Sequence, residues 1–193
     1  MTKRARVAVL ISGRGSNMAA LIYAARASDC AYQVALVTGD RPDAPGLDLA
    51  AAEGVRVERL NYEKVHFFQR LHASLCDQSI DVVALAGFMR ILPADFVARW
   101  TGRIVNIHPS LLPKHRGLNT HHAVLAAGET VTGCTVHEVT AVLDEGPILG
   151  FTEVAVLPGD SVESLDERVR IAEHQLYPRL LAEFCARRSR QII

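Results

Sequence analysis

The chain has 193 residues, 49% of them hydrophobic, and its 21 Lys+Arg balance 21 Asp+Glu for a formal net charge of zero at pH 7. That length supports one domain, residues 1–193, with a two- or three-layer core. The balanced charge excludes a general attraction for nucleic acid or anionic lipid, so any phosphate must be met locally.

In chain order, a strand is expected over Arg6–Ile11, a helix over Asn17–Arg26 and a strand over Gln33–Thr38. The turn GDRPDAPG, with its two prolines, then leads to a helix over Leu47–Glu53, a strand over Val55–Leu60 and a helix over Lys64–Gln78. Asp81–Ala86 and Ile104–His108 read as strands on either side of a helix over Pro93–Arg99. From Thr130 the rhythm changes: TVTGCTVHEV and ILGFTEVAV, joined by TAVLDEGP, look like an antiparallel pair. A helix over Ser161–Ala186, capped by Ser161, closes the chain. Alternating strands and helices predict an α/β fold: a mostly parallel twisted sheet with helices on both faces and a late antiparallel pair. The longest apolar runs, VAVLI and DVVALAGF, fall far short of the ~18 residues of a membrane span, and no signal peptide follows the basic start. The expectation is a soluble, cytoplasmic protein with neither nucleic acid nor membrane as partner. Cys30, Cys76, Cys134 and Cys185 form no CxxC pair and read as buried free thiols.

Two stretches carry chemistry. In ISGRGSN a strand turns through Gly13 and Gly15 into a helix, which puts free backbone N–H groups at a positive helix terminus, with Ser16 or Asn17 as its cap. Taken alone, that is either a phosphate cradle or a plain turn. A dinucleotide fingerprint fails at Met18, where a small residue is needed, and no GK[ST] follows to make a Walker A loop. In RIVNIHPSLLP, Asn106 and His108 lie two apart on a strand and therefore share a face at its carboxyl end, where open α/β sheets place ligands. Asp144 in LDEGP adds a carboxylate. An amide and an imidazolium can hold a developing oxyanion while the carboxylate orients the ring, and with no nucleophilic Ser or Cys motif this favours direct transfer between two bound substrates.

The strings ISGRGSN, LAGFMRIL, NIHPSLLP, GCTVH and LDEGPI, in this order over nearly the whole chain, resemble the phosphoribosylglycinamide formyltransferases. The Asn-x-His with SLLP and the later Asp is shared by the wider superfamily that uses 10-formyltetrahydrofolate, while the GSN loop narrows the likeness to the branch with a phosphorylated ribose. The resemblance implies a Rossmann-like fold whose N-terminal half binds the phosphoribosyl substrate and whose C-terminal half binds folate and carries catalysis. It implies formyl transfer from 10-formyltetrahydrofolate, as a cosubstrate, to the amine of glycinamide ribonucleotide in purine biosynthesis, with no metal and with a homodimer left open. Asn106, His108 and Asp144 match its catalytic residues. Gly15, Ser16 and Asn17 match the phosphate loop. Arg170, Ile171, Ala172 and Glu173 match the substrate segment, in which the acid meets the ribose hydroxyls; without the resemblance Glu173 reads as a solvated helix residue. Met89, Arg90, Ile91 and Leu92, with Thr140, Ala141, Val142, Leu143 and Asp144, match the pterin pocket, and Asn106 also faces the folate. Leu85 and Val97 would complete the slot or serve as ordinary core. In relatives the Leu112–Pro113 bond is cis.

Three positions depart from the family pattern. Lys64 stands for an arginine near the folate's glutamate tail and lacks the bidentate fork; Asn119 replaces a common histidine, and Phe151 a frequent glutamine. His115, His121, His122 and His137 could in principle hold zinc with Asp144, but no ligand spacing matches. His137 supports the transferring groups or is simply packed, and His66, His72 and His174 read as helix-surface or packing residues. Methionyl-tRNA formyltransferase would be expected to carry a further C-terminal domain and a basic surface, and formyltetrahydrofolate hydrolase an N-terminal regulatory domain; neither is expected of this chain.

Overall fold

The structure is a computed structural model and describes residues 4–191. Seven strands form one sheet in the order β3-β2-β1-β4-β5-β6-β7. They are β1 Ala5–Ile11, β2 Tyr32–Gly39, β3 Val57–Arg59, β4 Val82–Leu85, β5 Ile104–His108, β6 Val131–Glu138 and β7 Ile148–Ala155. β1 to β5 pair in parallel, and β6 and β7 join antiparallel at one edge. The helices are α1 Ser16–Ala24, α2 Pro45–Ala52, α3 Phe67–Asp77, α4 Ala94–Arg99, α5 Thr120–Ala126 and α6 Val162–Gln191.

Alternation along β1 splits the core. Val7, Val9 and Ile11 pack with Met18, Leu21, Leu47 and the α6 residues Leu176, Leu180 and Phe184 on one face. Ala8 and Leu10 pack with Phe67, Leu71, Leu75, Phe96 and Trp100 on the other. Each fully buried Leu of this kind contributes roughly 1.5–3 kcal/mol. α6 is tied to the sheet by its buried Tyr177, whose hydroxyl lies 3.0 Å from the carbonyl oxygens of both Leu85 and Val105.

Because the chain crosses from β3 on one side of β1 to β4 on the other, the strand order reverses between β1 and β4, the place where such sheets bind ligands. There Ser12 N–H donates to the Gly87 carbonyl at 3.1 Å, and the Ser12 hydroxyl accepts the Met89 N–H at 2.8 Å. The loop after β1 and the segment after β4 are thus stitched side by side.

Most predicted elements stand within a few residues of their expected bounds. α5 was not foreseen, because THHAVLA is seven residues long, carries two histidines and starts from Asn119 in the left-handed region, whose side chain makes no capping hydrogen bond. α6 continues past Ala186 to Gln191, with Pro178 inside it. At its start Ser161 and Ser164 cap reciprocally: the Ser164 N–H donates to Ser161 Oγ at 3.2 Å and the Ser161 N–H to Ser164 Oγ at 3.0 Å. The four thiols are not all buried; Cys134 and Cys185 are, Cys30 is half-buried and Cys76 exposed.

Candidate active site

The loop after β1 turns at Gly15, which has φ 76° and is the N-cap of α1. A Cβ there would lie 2.7 Å from the Met18 side chain and 3.2 Å from the Gly46 Cα, so both backbone conformation and space demand glycine. Gly13 has no such constraint; its missing side chain faces open space. No side chain caps α1. The expectation that Ser16 or Asn17 would do so fails because the Asn17 amide turns inward and donates to Glu173 Oε2 at 2.7 Å. The first amides of a helix have no acceptor within it, and with no side chain capping α1 they meet the requirement of an anion site.

Glu173 is not a solvated residue: it is 8% exposed. Burial pushes its carboxyl up to about 7, reinforced by Asp166 and opposed by the Asn17 hydrogen bond and Arg170. On α1, α5 and α6 three buried polar atoms lack partners: Asn17 Oδ1, beside Glu173, with His121 Nδ1 and His174 Nε2. His121 Nε2 and Arg170 reach the two oxygens of Asp166 at 3.5 and 3.7 Å. Burial nevertheless holds the His121 ring below its ordinary value against that acid, and burial lowers His174 as well. Unmet donors and acceptors this deep call for a ligand or bound water. Of the remaining predicted substrate residues, Ile171 is exposed and Ala172 packs against the core.

β5 and its neighbours build the second half. The φ of 51° at Asp144 turns its side chain back under the loop, where Oδ2 accepts the Gly117 N–H at 2.9 Å and lies 3.5 Å from His108 Nδ1. Oδ1 lies 3.5 Å from His137 Nε2. Burial works to raise this carboxyl, but His137, the Gly117 hydrogen bond and the His108 ring outweigh it and hold it below the usual carboxylate range. His108 Nε2 is 2.9 Å from the His115 carbonyl oxygen. A carbonyl only accepts, so this nitrogen carries a proton, and a second proton on Nδ1 would face the carboxylate.

His137 has a role that a bare reading leaves open. Its Nδ1 lies 2.9 Å from the Glu138 carbonyl oxygen and must donate, while its Nε2 sits between Asn106 Nδ2 at 3.2 Å and Asp144 Oδ1 at 3.5 Å, tying the amide to the carboxylate. The Asn106 amide nitrogen carries two N–H groups, of which the His137 contact occupies at most one. The Thr135 hydroxyl donates to the Ser110 carbonyl at 2.7 Å and accepts the Leu112 N–H at 3.1 Å, holding the loop after β5, in which Leu112–Pro113 is cis. The Asp144 loop closes on β6 through Gly146, where a Cβ would sit 1.7 Å from the Glu138 carbonyl oxygen. Gly146→Ala is expected to push the loop outward and lower kcat about a hundredfold, the scale of an ångström of misplacement; steady-state rates with a melting curve check this, and unchanged turnover would contradict it.

Apolar side chains stand uncovered around the cluster: Met89, Ile91, Leu118, Val142 and Leu143 are all more than half exposed, Ile91 by 75%. Leu92 is half-buried, whereas Leu85 and Val97 are core residues. Thr140 closes its own turn by donating to the Val142 carbonyl at 3.1 Å, and Ala141 is exposed. Arg90 lies on the same rim and pairs with Asp40, while Lys64 is exposed in the preceding turn. Two open clefts of about 360 and 590 Å³ lie outside this cluster, the larger backing onto Leu111–Lys114. Among the described residues no group of three His, Cys, Asp or Glu could hold a metal ion. His115 instead meets Glu129 at 2.8 Å, and His72 accepts from the Trp100 indole at 3.1 Å.

The model of the formyl transferase family matches residues 5–181. The chain is 40% identical over 182 residues to phosphoribosylglycinamide formyltransferase of Escherichia coli (strain K12), covering 92% of this chain and 86% of that one. It is 45% identical over 183 residues to the trifunctional purine biosynthetic protein adenosine-3 of Homo sapiens, covering 93% of this chain but only 18% of that much longer protein. The crystal structure of phosphoribosylglycinamide formyltransferase from Brucella melitensis superposes with a TM-score of 0.91 at 45% identity, covering 95% and 97% of the two chains.

Proposed function

The chain belongs to the formyl transferase family, among the phosphoribosylglycinamide formyltransferases, and from that premise we propose that it transfers a formyl group from 10-formyltetrahydrofolate to the amine of glycinamide ribonucleotide in de novo purine biosynthesis. The observation that carries this reading is the convergence of Asn106, His108, His137 and Asp144, within 3.5 Å of one another in a chain of contacts, at the carboxyl end of β5. The α1 N-terminus and the buried Asn17–Glu173 pair supply what a phosphorylated ribose needs: amides for the phosphate and acceptors for the hydroxyls. The uncovered apolar rim from Met89 to Leu92 and Val142 to Leu143 suits a flat heteroaromatic ring.

The amine attacks the formyl carbon directly. The free N–H of Asn106 and the protonated His108 ring offer donors to the oxygen that becomes anionic, with Asp144 balancing the charge on the ring. His108 Nε2 is engaged by the His115 carbonyl, so the loop after β5 must release it, or the Nδ1 proton must be shared, when the oxyanion forms. The proton lost by the amine passes to the folate nitrogen as the carbon–nitrogen bond to the formyl group breaks, so no net proton is consumed. The chain works as one domain in the cytoplasm on small molecules; its charge is balanced, and among the described residues no helix is long and apolar enough to cross a membrane.

The test is to mix purified protein with 10-formyl-5,8-dideazafolate and glycinamide ribonucleotide and follow release of the deformylated product by absorbance. Release that requires glycinamide ribonucleotide is expected. Release without any amine, or with a different amine only, would replace this reading by a hydrolase or another transferase.

A further inference from the structure

We propose that Asp40 is a positioning residue for the formyl donor: it fixes Arg90 as a preset fork for a carboxylate on the folate's glutamate tail. The inference rests on the reading of Met89–Leu92 as the wall of the folate slot.

Asp40 follows the end of β2, and its side chain is only 1% exposed. Its one side-chain partner among the described residues is Arg90, whose Nε donates to Oδ2 at 2.6 Å; the other oxygen, Oδ1, is buried without a partner. A carboxylate buried this deeply with half of its accepting capacity unmet is a poor stabilising device, and an apolar residue of similar volume would serve the core as well or better. What the acid does achieve is to hold a guanidinium. Arg90 lies with its Cζ 4.3 Å above the Tyr62 ring, and the Tyr62 N–H donates to the Asp40 carbonyl at 2.8 Å. The end of β2, the turn at Tyr62 and the segment after β4 are thereby locked around one side chain.

The choice of nitrogen matters. Because Asp40 takes Nε, both Nη groups stay available, and among the described residues neither makes a hydrogen bond. The stacking face and the Nε anchor together fix the plane of the guanidinium, leaving two donors pointing off its far edge on a side chain that is 38% exposed. A planar, immobilised pair of N–H donors matches a carboxylate, and its immobilisation lowers the conformational cost of binding. Neighbouring arginines are committed elsewhere: Arg41 pairs with Asp43, and Arg59 with Asp48 and the Pro42 carbonyl. Lys64, exposed in the same turn, adds attraction without a fork, so the geometric selectivity that an arginine at 64 would carry passes to Arg90.

The decisive experiment compares two formyl donors, 10-formyltetrahydrofolate and the tailless 10-formyltetrahydropteroate, in the wild-type protein and in Asp40→Leu, Asp40→Asn and Tyr62→Leu. For the glutamate-bearing donor, Asp40→Leu is expected to raise KM about ten- to a hundredfold with kcat and the KM for glycinamide ribonucleotide kept within about twofold. Asp40→Asn, which keeps a neutral acceptor for Nε, should fall between, and Tyr62→Leu should shift KM in the same sense by less. For the tailless donor all four proteins should share one KM. Equal KM changes for both donors, or a loss of kcat in step with a lowered melting temperature, would show that the ion pair merely supports the loop and would overturn the proposal. Should Asp40→Leu fail to fold, Tyr62→Leu on the exposed side decides the matter by the same comparison. A wild-type protein that uses neither donor refutes the formyltransfer reading itself; one that discriminates the donors while no variant alters the discrimination refutes only the role of Asp40.

Discussion

Glu173→Gln is expected to make the protein more stable above neutral pH while weakening its hold on the sugar-phosphate substrate. Burial raises the Glu173 carboxyl from an ordinary value of 4.5 to about 7. Between those two values the unfolded chain has released this proton and the folded chain has kept it, so the native state binds more protons and stability falls as pH rises through the window. A shift of that size corresponds to about 3 kcal/mol, absent below pH 4.5 and fully developed above pH 7. Gln does not titrate. Its amide oxygen can still accept from Asn17 Nδ2, and its NH₂ can donate to the orphaned Asn17 Oδ1. Calorimetry should therefore show little difference between wild type and variant near pH 4.5 and a higher Tm for the variant by several degrees at pH 8, given about 2–4 °C per kcal/mol at this chain length. Tm values that track each other at both pH values would sink the argument. The cost should appear as a KM for glycinamide ribonucleotide raised about tenfold, from exchanging a charged acceptor for a neutral one at the ribose hydroxyls. Retaining a destabilising acid at the proposed binding site would be the usual compromise between stability and function.

The second large effect belongs to the proposed oxyanion donors. Asn106→Ala and His108→Ala should each lower kcat about a hundredfold to a thousandfold, or about 3–4 kcal/mol of transition-state stabilisation, with KM values changed far less. The double variant should lose less than the product of the two, because in the proposed mechanism both groups serve one oxygen. In His108→Ala the Asp144 carboxylate keeps its Gly117 hydrogen bond, so the loop should hold its place and the melting curve should show a native fold. A folded variant with near-full turnover would remove that residue from the reaction.

Much of this architecture was legible locally. Strand-to-helix alternation fixes the sheet class because side-chain periodicity is a property of ten or so consecutive residues, and β5 was expected at its observed bounds. The short strings around Gly15, Asn106 and Asp144 were legible because turn glycines and paired polar residues on a strand carry their reasons within a few positions. The cap of α1 was misjudged for a non-local reason: Asn17 looks like a capping residue until Glu173, 156 positions away, claims its amide. α5 was invisible because its seven residues are held against α6 rather than by propensity.

Composition, periodicity and motif spacing therefore determined by themselves that this is a βαβ-built chain with a glycine turn open to two readings, a phosphate cradle or a plain turn, and an amide, an imidazole and a carboxylate in the later half. Only tertiary structure decided what those groups do to one another: that His137 orients the Asn106 amide, that Gly146 brings Asp144 under His108, that burial turns Glu173 into an acid titrating near neutrality, and that Asp40 seizes Arg90. The physical reason is that hydrogen-bond partners and desolvation depend on which distant segments the sheet order brings together, and no local pattern encodes them.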